Sequence, residues 1–343
     1  MVNIASILVP LYIYPSSSSW NPLYTAIEAN PSVQFNVVVN PNSGPGSSSY
    51  PDSNYISGIS KLNSYSQVTT LGYVHTSYAA HSASDVEADI TVYAGWSNYT
   101  SSDIHVDGIF FDEATSDTSQ YSYMQTISDF ARSSLSQYSA YTVFNPGTIV
   151  DSSFFDLADS IVMFENKYKS WSSSVQNQIA SENPAKSSVL INHFSGSLTD
   201  QQNIVNNISS AGIGSVFITS QASYNSFSQY WSQFVADVAS PQQVSAASSS
   251  SSAPAVTTTD VASSTTPAST TLATIASSTT DSVPTTSSNG GDQQAQPQDQ
   301  AQPPTQDTKN QPKSKNSHRR SISERAEQEY ERNFKMVARA FVA

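Results

Sequence analysis

The chain has 343 residues, no cysteine and a formal net charge of −13. Residues 241–343 carry nine basic and nine acidic side chains, so the whole imbalance lies on residues 1–240, with 5 Lys/Arg against 18 Asp/Glu. Such a surface repels nucleic acid and anionic membrane, and the missing thiols exclude a disulfide framework, a cysteine nucleophile and a cysteine-based zinc site.

Eight short apolar or β-branched runs recur at fairly even spacing, over 4–14, 35–41, 69–76, 105–113, 141–146, 159–166, 187–194 and 215–221. Several, such as Val37-Val38-Val39, Ile109-Phe110-Phe111 and Val216-Phe217-Ile218, are apolar without alternation, as expected of parallel strands covered on both faces. The first run holds Pro10 and lacks both a basic flank and a small-residue cleavage site. It reads as a buried strand rather than a signal peptide, and a leaderless chain is expected. No stretch reaches the roughly 18 apolar residues of a membrane span, so no transmembrane segment is expected.

Between the runs, helical spacing predicts helices over 21–29, 52–65, 83–96, 120–138, 172–182, 200–211 and 226–238. In the fourth, Met124, Ile127, Phe130, Ala131 and Leu135 form one apolar stripe. Asp200 with Thr199 reads as the N-cap region of the sixth, and Gly212 stands at its C-terminal stop. The link 148–158 is short, and a helix there is doubtful. Eight strand-then-helix units predict an α/β fold, a single (β/α)8 TIM barrel over 1–240. An open doubly wound sheet is the alternative, disfavoured because no glycine-rich phosphate loop follows any strand. Residues 241–321 are Ser/Thr/Pro-rich and then Gln/Asp/Pro/Lys-rich, the composition of a disordered tail. Ile322, Ala326, Tyr330, Phe334, Val337 and Phe341 then mark an amphipathic helix over 322–343, with no partner identified for it.

A parallel barrel builds its chemistry at the C-terminal ends of its strands. Those ends supply Tyr12, Tyr14, Asn40, His75, Asp112, Glu113, Asn145, Glu165, His193 and Gln221. Asp112-Glu113 closes the fourth run, so alternation lets Glu113 share a cleft with Asp112 only where strand gives way to loop. Glu165 closes the sixth, with Ile161 and Met163 expected on its own face. Facing carboxylates can divide acid and nucleophile or base roles at a glycosidic bond, and a third close by raises the pKa of one of them. Aromatic rings at the same end, among them Trp20, Tyr78, Tyr168 and Trp171, are candidate sugar platforms or loop anchors. His75 and His193 lack the paired spacing of metal ligands and are expected to hydrogen-bond substrate, so neither metal nor cofactor is expected.

The stretches Val9-Pro10-Leu11-Tyr12-Ile13-Tyr14-Pro15, Val38-Val39-Asn40-Pro41, Gly72-Tyr73-Val74-His75-Thr76, Gly108-Ile109-Phe110-Phe111-Asp112-Glu113, Asn145-Pro146-Gly147 and Phe164-Glu165 resemble the spherulin-4 (spherulation-specific) family across nearly all of residues 4–240. The resemblance implies a (β/α)8 glycoside hydrolase of fungal and microbial cell surfaces, without a metal, acting on α-1,4-linked N-acetylgalactosamine in galactosaminogalactan. It implies essential acids at Asp112, Glu113 and Glu165. On this reading Tyr12, Tyr14, Asn40, His75, Asn145, His193, Gln221 and Trp171 bind substrate, and the protein is extracellular or wall-associated. A Ser/Thr/Pro stalk and the sequons Asn98-Tyr99-Thr100 and Asn207-Ile208-Ser209 fit that location, whereas the missing leader fits a cytoplasmic one. The rival function is a non-catalytic wall or spore-coat barrel that binds carbohydrate.

Overall fold

The computed structural model describes residues 5–250, with side chains through Ser240. Eight parallel strands close on themselves in sequence order: β1 (Ser6–Leu11), β2 (Phe35–Val39), β3 (Val68–His75), β4 (Gly108–Asp112), β5 (Tyr141–Asn145), β6 (Ser160–Lys167), β7 (Ser187–Asn192) and β8 (Ser215–Ile218). Every expected strand is present, within a few residues of its apolar run. The helices are α1 (Asn21–Ala29), α2 (Ser53–Asn63), α3 (Ala83–Gly95), α4 (Tyr121–Ser134), α5 (Ser173–Ser181), α6 (Leu198–Ser210) and α7 (Trp231–Ser250). A (β/α)8 barrel is thus the observed architecture. The short β5–β6 link carries one 3-10 segment, Ser152–Asp156, in place of an α-helix. Of the tail expected over 241–321, the residues through Ser250 belong to α7; the rest of it and the helix expected over 322–343 lie outside the described residues. Among the described residues no helix is long and apolar enough to cross a membrane.

The local chemistry explains the helix starts. Asp52 caps α2 by accepting from the backbone N–H groups of Asn54 and Tyr55. α6 begins earlier than expected, because Ser197 is its N-cap and forms a capping box with Asp200 at the third helical position. Gly212 follows α6 at φ 72°, a left-handed stop that suits glycine. The stripe of α4 buries Met124, Ile127 and Ala131. α7 starts five residues later than its apolar pattern, after a turn in which the Ser228 hydroxyl accepts from the Tyr230 N–H.

Pairing register sets which side chains share the barrel mouth. His75, Asp112 and Asn145 are register partners on β3, β4 and β5, so they leave the sheet on one face. On β6, Ser160 pairs with Val143, two residues before Asn145 and on the same face. Strict alternation from Ser160 would send Glu165 to the other side. A register shift between Val162 and Phe164 adds one residue and turns Glu165 inward. Ile161 and Met163 therefore do not share its face as alternation predicts; Val162 does. At the other end of the barrel, a chain of buried hydroxyls runs from Ser160 through Ser188 to Ser215. Close approach there also fixes Gly108, since a Cβ at this position would lie 1.9 Å from the Tyr141 carbonyl oxygen.

Candidate active site

Asn145 lies at the centre of the mouth. Its Nδ2 donates to Asp112 Oδ1 at 2.7 Å and to Glu165 Oε2 at 2.6 Å. Only a donor can face two carboxylates, so these contacts fix which end of the amide is nitrogen. The other carboxylate oxygens are also held. The Tyr73 hydroxyl donates to Asp112 Oδ2 and the Tyr224 hydroxyl to Glu165 Oε1, both at 2.7 Å. Because one nitrogen touches both acids, their facing oxygens are no more than about 5.3 Å apart, which suits a nucleophile-and-acid pair (about 5–5.5 Å between carboxyls) better than the about 6.5–9.5 Å that admits an attacking water.

Asp112 is buried, at 8% exposure, whereas Glu165 is partly open to solvent. Burial raises the Asp112 carboxyl above its usual range, and the hydrogen bonds from Tyr73 and Asn145 pull it back. Glu165 is pushed up to about 6, first by burial and then by the negative charge of Asp112, against the hydrogen bonds from Tyr224 and Asn145. Burial thus raises both carboxyls, and the facing charge of Asp112 adds to the rise at Glu165. The same charges, with burial first, hold the Tyr73 and Tyr224 phenols neutral.

Glu113 follows the end of β4 at φ 51°, a left-handed conformation that costs a non-glycine residue about 1–2 kcal/mol. Its carbonyl is held by the Thr76 hydroxyl and the Tyr78 N–H, each at 2.7 Å. The reversal supplies the break in alternation that Glu113 needs to lie on the side of Asp112, and its charge contributes to the raised Tyr73 phenol. Gly147, at φ 66°, closes the other flank. Its carbonyl accepts from the Glu165 N–H at 3.1 Å, and its left-handed backbone is what glycine suits there. Tyr12 meets both tyrosines edge-on, 5.5 Å from Tyr73 and 5.7 Å from Tyr224, which makes it a floor between the two acids.

The remaining residues expected at the site divide into rim and elsewhere. His75 meets His81 at a tilt, ring centroids 4.2 Å apart, and leaves Nδ1 buried without a partner; burial and then His81 lower its pKa, so it is neutral at pH 7. His193, at φ 50°, turns at the end of β7, with Nδ1 2.8 Å from Asn192 Oδ1 and its N–H donating to the Gln221 carbonyl. Gln221 spends its amide on the Phe227 carbonyl at 3.3 Å. Asn40 accepts from the Gly44 N–H at 3.0 Å and so shapes the loop after β2. Tyr14 is half-exposed and reaches the start of α2, donating to Asp52 and accepting from Asn54. Trp171 packs on Phe164, which leaves β6 on the face opposite Glu165, so its ring lies outside the mouth. Trp20 is a loop anchor, 2% exposed, with its indole N–H on the Ile13 carbonyl.

Two contacting residues were not expected from the sequence. Tyr73 carried a signal, since it stands two residues before His75 and shares its face of β3. Tyr224 sits in the Ser/Asn-rich stretch after β8, where no periodicity marks it. Among the described residues no group of three or more His, Asp or Glu side chains could hold a metal ion.

The profile of the spherulation-specific family 4 (Spherulin4) matches residues 6–238 of the chain. Spherulin-4 of Physarum polycephalum is 34% identical over 240 residues, which cover 66% of this chain and 68% of that protein. Among solved structures, the crystal structure of Aspergillus clavatus Sph3 in complex with GalNAc is similar at 35% identity and a TM-score of 0.66, covering 69% of this chain and 98% of that one.

Proposed function

The chain belongs to the spherulation-specific family 4, and from that premise we propose that its barrel mouth hydrolyses α-1,4-linked N-acetylgalactosamine or galactosamine polysaccharide internally. The observation that carries this reading is the single Asn145 amide nitrogen within 2.7 Å of both Asp112 and Glu165. Two acids so spaced, one with its pKa raised to about 6, are equipped to protonate a leaving oxygen and to attack the anomeric carbon.

Glu165 is the acid, because a pKa raised to about 6 lets it hold and give up a proton at mildly acidic pH, and it is open enough to meet the glycosidic oxygen. Asp112 is the nucleophile. In an α-linked N-acetylgalactosamine the leaving oxygen and the 2-acetamido group are cis, so the acetamide cannot attack from behind and the protein must supply the carboxylate. In the first step an Asp112 oxygen bonds to the anomeric carbon, the glycosidic C–O bond breaks, and the leaving oxygen takes the Glu165 proton. In the second, Glu165 removes a proton from water, water oxygen attacks the same carbon, and Asp112 leaves as carboxylate. Tyr73 and Asn145 hold the attacking carboxylate in place, Tyr12 forms the floor under the sugar, and Glu113 binds its polar groups.

The substrate class is supported by the sugar bound to Aspergillus clavatus Sph3 and by the net charge of −13, which draws in a partly deacetylated, cationic polymer. Such a polymer is met outside the cell, so the same reading puts the site of action at the cell surface or wall. The test is digestion of galactosaminogalactan by the intact chain, with products read by mass spectrometry. New oligosaccharides of several lengths are expected. Binding of the polymer without new reducing ends would instead identify a carbohydrate-binding barrel, and cleavage of another glycan alone would overturn the substrate.

A further inference from the structure

The Trp171 ring, excluded from the mouth, lines a cavity of about 240 Å³ between the β6–α5 connection and α6. That is room for one sugar ring and less than the about 300–1,000 Å³ of a drug-sized site. Tyr168 and Trp171 supply rings on one side; Gln176 of α5 and Asn203 and Asn207 of α6 supply planar amides. Asp200 adds a carboxylate, Ile204 forms an apolar floor, and no lining residue is basic.

The framework of this groove is fixed from behind. Tyr168 packs on Phe194 at 4.7 Å and Trp171 on Phe164 at 5.1 Å. Gln176 donates to the Asn207 carbonyl at 3.2 Å, tying α5 to α6, and the capping box holds Asp200. Rigid rings that accept the C–H face of a pyranose, amides that can both donate to and accept from hydroxyls, and an unopposed carboxylate together make a saccharide site with a preference for neutral or aminated sugars.

We propose that the groove between Trp171 and α6 is a second saccharide-binding site, holding one hexosamine residue of the polymer outside the barrel mouth. The inference rests on the carbohydrate reading of the mouth and extends it. Tyr168 and Trp171 belong to the connection that leaves β6 just after Glu165, which sets the groove beside the strand that carries the acid. A second point of attachment keeps a long polymer at the enzyme between cuts and raises its apparent affinity without touching the chemistry.

The tryptophans provide a local probe. The chain has four, and Trp20, Trp96 and Trp231 are at most 3% exposed, leaving Trp171 as the one that solvent reaches. Acrylamide quenching of the intact chain therefore reports on Trp171. With galactosamine oligosaccharides added to the Glu165→Gln chain, quenching of Trp171 is expected to fall. In Glu165→Gln with Asn203→Arg, which puts a cation into the groove from an exposed helical position, the oligosaccharide concentration needed for protection should rise about tenfold, the loss of one well-placed contact. A further Trp171→Phe change should abolish the signal, which assigns it. Unchanged quenching with oligosaccharide present, or protection that survives Asn203→Arg, overturns the site. Digestion by the unaltered chain separates the two readings: hydrolysis without protection sinks the groove alone, and protection without hydrolysis sinks the catalytic assignment alone.

Discussion

Replacing Glu165 by Gln should lower the turnover of galactosaminogalactan by about 10²–10⁴-fold, the range contributed by a positioned general acid. Gln is nearly the same size, so the change removes the proton and leaves the packing of β6 against Gly147 in place. The loss should shrink on an aryl oligosaccharide whose leaving group departs without protonation; an equal loss on both substrates would deny Glu165 its acid role. The pH profile carries the same signature. Glu165 must be protonated to act, and it titrates at about 6, so kcat/KM should fall as pH rises through that value. Tyr224 donates to the Glu165 carboxylate and thereby favours its charged form. Tyr224→Phe removes that help, the proton is held more tightly, and the basic limb should move to higher pH. A limb that stays in place would mean that another group sets it.

Loss of Asp112 is expected to be at least as severe, on the order of 10⁴-fold for Asp112→Ala, because the carboxylate that forms and releases the covalent intermediate is gone. The side chain is buried and bonded to Tyr73 and Asn145, so thermal unfolding of the variant must be measured beside its activity. Chemical rescue separates the two effects. Azide is small enough for the vacated space and can attack the anomeric carbon in place of the carboxylate. Its product is the glycosyl azide of inverted configuration, released once because no second displacement follows. Absence of that product from a folded Asp112→Ala chain would move the nucleophile to Glu113.

The sequence made the barrel and part of the mouth legible, for identifiable reasons. Uninterrupted apolar runs marked the strands, and residues closing them found Asp112, Asn145 and Glu165, because a parallel barrel gathers its C-terminal strand ends. The facing of Glu165 was not legible. Alternation counted from Ile161 fails at the bulge near Met163, and nothing in Val162-Met163-Phe164 announces it. Glu113 was expected to need the start of a loop, and its left-handed backbone supplies one. Tyr14, Asn40 and Gln221 were selected by position alone, and their polar groups are engaged in bracing the α2 cap Asp52 or the loops. Trp171 was selected by type, and only the face of Phe164 shows that its ring stands outside the mouth. The α6 start was placed two residues late, because Asp200 alone reads as a cap, whereas its carboxylate closes a capping box with Ser197.

What most directly decides the chemistry is the anomeric configuration of the first product, followed by proton NMR as the intact chain cuts an α-1,4-linked N-acetylgalactosamine oligosaccharide. On the proposed double displacement by two acids bridged by one amide, the new reducing ends should appear as the α anomer and drift toward the β form only as they mutarotate. Reducing ends that emerge as β would mean that water attacks directly, across a gap that the shared Asn145 nitrogen does not allow.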